Sequence, residues 1–224
     1  MKIVIENIMS DESISDLRKD YQKDSLTRAD LLADPMQQFQ LWLDVARKAK
    51  VMEPTAMNLA TCSADGVISS RMVLLKDLDQ RGFSFFTNYE SRKANDLAEH
   101  SRAALCFWWG DLERQVRIEG VIEKVSAEES DHYYSRRPRG SRIGAIASRQ
   151  STELSSHAEL EQQVQAVEKQ YADGEEIQRP DYWGGYRVLP DSLEFWQGRP
   201  SRLHDRFCYR LAEDGQWEIT RLAP

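Results

Sequence analysis

Apolar and polar positions repeat with two different periods along this chain. Phe39, Trp42, Leu43 and Ala46 recur at helical spacing, which predicts an amphipathic helix over residues 35–50. Asp34 supplies an N-cap, Pro35 the first helical position, and Pro54 closes the segment. A block of short strand-type segments follows. Residues 55–63 lead through the hairpin signal Asp65-Gly66 into 67–76, and Arg81-Gly82 turns into 83–88. A short helix is expected over 91–100, then strands over 103–109 and 114–125. Ser126 with Glu129 forms a capping-box pattern opening a helix that must end before Pro138. Ser156 with Glu159 repeats it, opening a helix through Leu160, Val164, Val167 and Tyr171 that stops at Asp173-Gly174. The tail adds strand candidates at 185–188, 193–197, 207–211 and 217–221.

Short strands joined by hairpin signals, with helices set between them, predict a mainly β fold with peripheral helices (α+β). The expected form is an antiparallel barrel or sandwich. No βαβ alternation appears, so a Rossmann fold is disfavoured, and no solenoid or propeller period is present. Residues 1–33 are polar and poor in core-formers. They read as a mobile arm, leaving 34–224 as a single domain.

Composition narrows the function. A length of 224 residues suits one domain, and a net charge of −7 argues against nucleic acid or an anionic membrane as partner. No apolar run approaches the roughly 18 residues of a membrane span. The opening segment, with Glu6 inside its apolar part, makes a poor signal peptide. Cys62, Cys106 and Cys208 are odd in number and far apart, so no disulfide framework is expected and a reducing cytoplasm is the default. The histidines are scattered singly, which makes a metal site improbable. The patterns of Ser hydrolases, P-loop NTPases and dinucleotide folds are absent.

What remains is anion chemistry. Ser91-Arg92-Lys93 places two cations at a helix N-terminus, where acidic residues are usual. Either the turn is simply solvated, or an anion such as phosphate sits among the N–H groups, the hydroxyl and both charges. A second basic island, Arg136, Arg137, Arg139 and Arg142 around Pro138, lies in an otherwise acidic chain. It reads as a solubilising or localisation-type charge run, or as a cradle for phosphate or carboxylate. Tyr133 and Arg137, at i and i+4, could converge on one ligand. In the strand over 67–76, alternation puts Ser69 and Arg71 on one face and Lys76 on the other. Gln115 and Arg117 share a face of a later strand. Arg202, His204 and Arg206 alternate and would face one way in an extended segment, which suits an anionic or heteroaromatic ligand better than a His204–Asp205 dyad. Most of the aromatic residues at Phe107, Trp108, Trp109, Trp183, Phe195 and Trp196 are expected in the core.

In chain order, the segments Arg71–Lys76, Phe86–Asn88, Ser91–Lys93, Glu113–Val116, Ser135–Arg139, Phe195–Gly198 and Arg202–Arg206 closely resemble the pyridoxamine (pyridoxine) 5′-phosphate oxidase family. The match extends from about Arg18 to the terminal Pro224. The resemblance implies an FMN-binding split barrel, an antiparallel Greek-key-like β-barrel, acting as a homodimer with FMN at its interface. It implies the oxidation of pyridoxamine 5′-phosphate and pyridoxine 5′-phosphate to pyridoxal 5′-phosphate, with hydride transfer to flavin N5 and reoxidation by dioxygen to hydrogen peroxide.

Site residues follow from the same resemblance. Arg71, Met72, Val73, Leu74, Leu75 and Lys76 look like the strand along the flavin, and Phe86, Thr87, Arg92 and Lys93 like further FMN contacts, the last two on its phosphate. Gln115, Gln150, Ser151, Trp196 and Arg206 complete the implied cofactor set. Lys76, Tyr133, Arg137 and Ser141 look like the cradle for the substrate phosphate. Arg202, Leu203 and His204 are placed over the pyridine ring, with Arg202 and His204 as the implied catalytic pair and no separate general base. Arg18, Lys19, Asp20 and Tyr21 resemble a lid segment. Phe86 stands where a Tyr is familiar, Lys19-Asp20 where Arg-Glu is, and Arg199-Pro200 is unusual. A non-catalytic flavin carrier and a flavin oxidase of phenazine-type rings are the rivals, and neither needs a second phosphate cradle.

Overall fold

A computed structural model of the chain describes residues 13–171 and 174–224. The expected helix stop at Asp173 and the first part of the arm lie outside the described residues. Nine strands form one antiparallel sheet: β1 (Ala56–Cys62), β2 (Ile68–Leu74), β3 (Asp77–Leu78), β4 (Phe83–Asn88), β5 (Arg102–Trp109), β6 (Arg114–Lys124), β7 (Trp183–Gln197), β8 (Asp205–Leu211) and β9 (Trp217–Leu222). Five helices lie around it: α1 (Pro35–Lys48), α2 (Arg92–Glu99), α3 (Ala127–Ser135), α4 (Arg139–Ala147) and α5 (His157–Gln170).

The strand order β2-β1-β5-β6-β7-β4-β3 closes on itself through the chain. Beyond β2, Leu75 N–H donates to Thr55 O at 2.8 Å and Lys76 N–H to Ser84 O on β4 at 2.9 Å, so the two ends of the order meet. The result is the expected antiparallel split barrel. α1 covers it as its sequence dictates. Asp34 accepts from Met36 N–H at 2.8 Å, Pro35 opens the helix, and Phe39 packs edge-on to Phe83 with ring centroids 4.8 Å apart. Trp42 meets Phe195 at 5.2 Å. Phe85, Phe107, Val116, Ile118, Val188, Leu193 and Tyr209 complete one continuous core.

Several expectations are corrected. The two strands predicted at 185–188 and 193–197 are one strand, β7. Glu119 pairs with Ser192 and Gly120 with Pro190, so Asp191 is an extra residue and the bulge absorbs Pro190 within the ladder. Beyond the helix expected to end before Pro138, the second half of the basic island opens a further helix, α4, that the sequence pattern did not predict. At Ser126 the capping box forms in full, with Glu129 N–H donating to Ser126 Oγ at 3.1 Å and Ser126 N–H to Glu129 Oε2 at 2.9 Å. At Ser156 only half forms: its Oγ accepts from Glu159 N–H at 3.2 Å, but the Glu159 carboxylate accepts from Ser155 N–H at 2.9 Å. The stretch judged poor in core-formers contributes Leu26 and Leu31, both buried.

Candidate active site

α3, α4 and α5 pack over the start of β7 through a second cluster of Tyr134, Ile143, Ile177 and Trp183. Gly184 on β7 lets the Tyr89 ring and α3 come close, for a Cβ there would lie 2.7 Å from Tyr89 Cζ and 3.0 Å from Ser130 Oγ, and Gly185 leaves room for Val125 and Phe86. Buried Arg187 then pins the N-terminus of α3, donating to Glu129 Oε1 at 2.6 Å and to Glu123 Oε1 at 2.9 Å. The Ser126 N–H, followed by Arg187 and Arg81, holds the Glu129 carboxyl down at about 2.

Between this helical layer and the barrel lies a cleft of about 820 Å³. Its barrel wall is Arg71, Met72, Val73 and Leu74 of β2, then Lys76, with Phe86, Thr87 and Asn88 of β4. Alternation would send Arg71 and Lys76 to opposite faces, yet both line the cleft. β2 stands at the end of the strand order and the cleft meets residues of both its faces, Met72 and Leu74 as well as Arg71 and Val73; Leu75 belongs to the core rather than the cleft. Arg71 is fixed by Leu59 O at 3.1 Å, Thr61 Oγ1 at 2.8 Å and Ser69 Oγ at 2.7 Å.

At one end of the cleft sits Lys93, buried in the first turn of α2. Its ammonium donates to Thr87 Oγ1 and Ser91 Oγ, each at 3.1 Å, and to Gln150 Oε1 at 2.9 Å. Burial, and then the nearby Arg71, lower its pKa to about 8. The Ser91 hydroxyl donates to Asn88 O at 2.8 Å and does not cap the helix. Arg92 is exposed at the rim, outside the cleft lining, though near enough to depress the pKa of Arg71 after burial has done so. Ser151, at φ 73°, is exposed and also outside the lining.

The opposite wall carries the second basic island. Tyr133 stacks on Phe86 with centroids 4.0 Å apart, and the Arg137 guanidinium lies 4.5 Å above the Trp183 ring. Arg137 Nη1 is buried without a partner, and burial lowers its pKa while raising that of Tyr133. Ser141, on the first turn of α4, completes this wall. Neither Lys93, which is buried, nor Arg137, which is half-buried, has a carboxylate in ion-pair range among the described residues; Lys93 faces neutral acceptors and Arg137 the Trp183 ring. That donor set fits phosphate oxygens at two places in one cleft.

A separate cleft of about 500 Å³ is lined by Leu17, Arg18, Lys19, Asp20 and Tyr21 of the arm with Arg199, Ser201, Arg202 and His204. It shares no residue with the first. The expected common face of Arg202, His204 and Arg206 does not form. A 3₁₀ turn at Pro200–Arg202, with Ser201 at φ 55° and Arg202 at φ 63°, breaks the alternation before β8 begins. Arg206 instead grips Glu194 through Nε at 2.8 Å and Nη2 at 3.0 Å. His204 Nδ1 accepts from Arg199 N–H at 3.1 Å, which leaves its proton on Nε2. Burial, then Arg202, pushes the His204 pKa down. Trp196 lies 4.5 Å from the His204 ring, and Gln115 pairs with Trp196 across β6 and β7. Leu203 is exposed and lines neither cleft. Sequence reasoning missed Asn88, Trp183 and Arg199 as lining residues. Arg199 had a signal in its unusual Pro neighbour; Asn88 read as a strand end and Trp183 as one of the aromatics expected in the core.

Residues 43–171 match a family model described as pyridoxamine 5′-phosphate oxidase, and residues 183–224 match one described as the pyridoxine 5′-phosphate oxidase C-terminal dimerisation region. The chain belongs to the pyridoxamine 5′-phosphate oxidase family. A pyridoxine/pyridoxamine 5′-phosphate oxidase of Thermosynechococcus vestitus is 57% identical over 211 residues, covering 94% of this chain and 99% of that protein. One from Cupriavidus necator is 56% identical over 211 residues, with coverage of 94% and 99%. The structure of PhzG from Burkholderia lata 383, in complex with tetrahydrophenazine-1-carboxylic acid, superposes with a TM-score of 0.83 at 32% identity, covering 90% of this chain and 98% of that one. A pyridoxamine 5′-phosphate oxidase-related, FMN-binding protein from Nostoc punctiforme shares the fold, with a TM-score of 0.69 at 14% identity over 87% of this chain and all (100%) of that one. Within this oxidase family a flavin cofactor is implied, and the C-terminal match supports a homodimer. No helix among the described residues is long and apolar enough to cross a membrane.

Proposed function

We propose that this chain is an FMN-dependent oxidase converting pyridoxamine 5′-phosphate and pyridoxine 5′-phosphate to pyridoxal 5′-phosphate. The observation that carries this reading is the pair of carboxylate-free cations lining one cleft, buried Lys93 and half-buried Arg137 with its Nη1 covered and unpartnered. When bound, FMN supplies the two-electron acceptor for hydride from the substrate C4′ carbon, and dioxygen takes the electrons on to hydrogen peroxide.

The chain's residues bind and orient. Lys93, Thr87 and Gln150 hold the cofactor phosphate, with Arg92 at the rim and β2 residues along the flavin. Lys76, Tyr133, Arg137 and Ser141 hold the substrate phosphate. Fixing a flat substrate at its charged end removes its freedom to turn, which is the main contribution a site without an acid–base triad can make. Arg202 orients the pyridine ring, and His204, neutral with its proton on Nε2, donates a hydrogen bond to a ring substituent. Tyr21 and the arm exclude water.

In this reading the two clefts belong to one site. A second copy of the chain brings Arg202 and His204, with Gln115, Trp196 and Arg206, to the first cleft of its neighbour, and FMN lies between the copies. A second reading, oxidation of an unphosphorylated ring, has the 32% identical PhzG complex behind it. It leaves Tyr133, Arg137 and Ser141 without a task. Purified protein loaded with FMN tests the choice: peroxide released on adding pyridoxine 5′-phosphate supports the proposal. FMN binding without peroxide, or turnover of a tetrahydrophenazine carboxylate alone, refutes it.

A further inference from the structure

Two of the motifs that carry the family resemblance, Glu113–Val116 and Phe195–Gly198, contain residues with no part in either cleft: Glu113 at the start of one, Gly198 at the end of the other. They meet in the fold. Glu113 is buried, stands in the left-handed region at φ 56°, and its carbonyl accepts from Gly198 N–H at 2.7 Å. One carboxylate oxygen, Oε2, accepts from two successive backbone amides of the arm, Gln22 N–H at 2.9 Å and Lys23 N–H at 3.0 Å.

Tyr21 follows from this clamp. Its ring lies edge-on to Trp196 at 5.8 Å and 5.9 Å from the His204 ring. It sits directly over Gly198, where a Cβ would be 2.8 Å from Tyr21 Cγ and 3.0 Å from Glu113 Cβ. Only a bare Cα leaves that seat open. On the N-terminal side of the clamp, residues 13–20 are exposed; on the C-terminal side, Leu26 is buried. Glu113 therefore holds the point where the arm passes from packed chain to the exposed segment that walls the second cleft.

We infer that Glu113 is a positioning residue for the reaction: it fixes the pivot of the arm at Gln22 and Lys23, so that Tyr21 is delivered onto Trp196 and His204. This deepens the proposed function and rests on it for the link to substrate. A carboxylate accepting two amides is a strong acceptor, and the amide oxygen of Gln keeps the geometry while Ala removes it.

The test compares Glu113→Ala, Glu113→Gln and Gly198→Ala in the FMN-loaded full chain. Hydrogen exchange at the Gln22 and Lys23 amides reads the clamp without any turnover, and steady-state kinetics with pyridoxine 5′-phosphate read its consequence. Glu113→Ala is expected to lose amide protection and to raise KM roughly tenfold or more. Its kcat and FMN affinity stay within about twofold, and Glu113→Gln restores both readouts. Gly198→Ala reaches the same seat from the other side and raises KM with amide protection kept. Unchanged protection in Glu113→Ala, or equal losses in FMN affinity and kcat, overturns the inference. If wild-type protein fails to oxidise the substrate, the proposed function falls, while loss of protection in Glu113→Ala still establishes the clamp.

Discussion

The Lys93 ammonium lies 2.9 Å from Gln150 Oε1, and every other group it touches is a hydroxyl. A buried ammonium among neutral acceptors loses hydration without gaining a counter-charge, which is why its pKa falls to about 8. A phosphate would supply that charge.

The first prediction concerns pH. Because the anion needs charged Lys93, and the free protein loses that proton near pH 8, the FMN dissociation constant should rise above about pH 8, by up to tenfold per pH unit. Lys93→Arg should flatten this dependence. Fluorescence titration of FMN from pH 6.5 to 9.5 checks it.

Removing the second cradle should act on substrate alone. Arg137→Ala is expected to raise KM for pyridoxine 5′-phosphate by roughly 10- to 100-fold, the worth of charge-assisted hydrogen bonds at about 1.5–3 kcal/mol. FMN affinity should change little. Inhibition by inorganic phosphate should weaken in parallel.

Arg202→Ala should lower kcat far more than FMN affinity, since Arg202 lies in the other cleft from Lys93. Parallel titration and turnover measurements decide. Equal losses in both would remove Arg202 from its orienting role.

Much of the fold was legible because its signals are local. Asp34-Pro35, the Ser126–Glu129 box and the strands around Asp65-Gly66 each carry their cause within a few residues. Lys93 was legible for the same reason, as a cation where a helix start disfavours one. The rest depends on contacts distant in sequence or on broken periodicity. Alternation failed at Arg206, because two left-handed residues precede β8. α4 was hidden behind Pro138, before which the preceding helix was expected to end. Glu113 gave no sign of its task, because its partners in the arm stand about ninety residues away (|i−j| of 91 and 90).

The Glu129 carboxyl gives an acid-stability prediction. Its folded pKa of about 2 lies below the ordinary 4.5, so its contribution is present above pH 4.5 and disappears as pH falls toward 2. Glu129→Gln should therefore melt lower than wild type at pH 7, with the gap closing across that window. Thermal unfolding of both proteins between pH 7 and pH 2.5 measures it.

The central claim is that one catalytic site is assembled from the first cleft of one copy and the second cleft of another. Mixing Arg137→Ala and Arg202→Ala proteins and letting subunits exchange, with turnover read at a substrate concentration far below the KM of Arg137→Ala, tests it most directly. In a twofold dimer each hybrid keeps one intact composite site, so the mixture should recover about a quarter of wild-type activity. Activity no higher than that of the two separate variants would contradict the account.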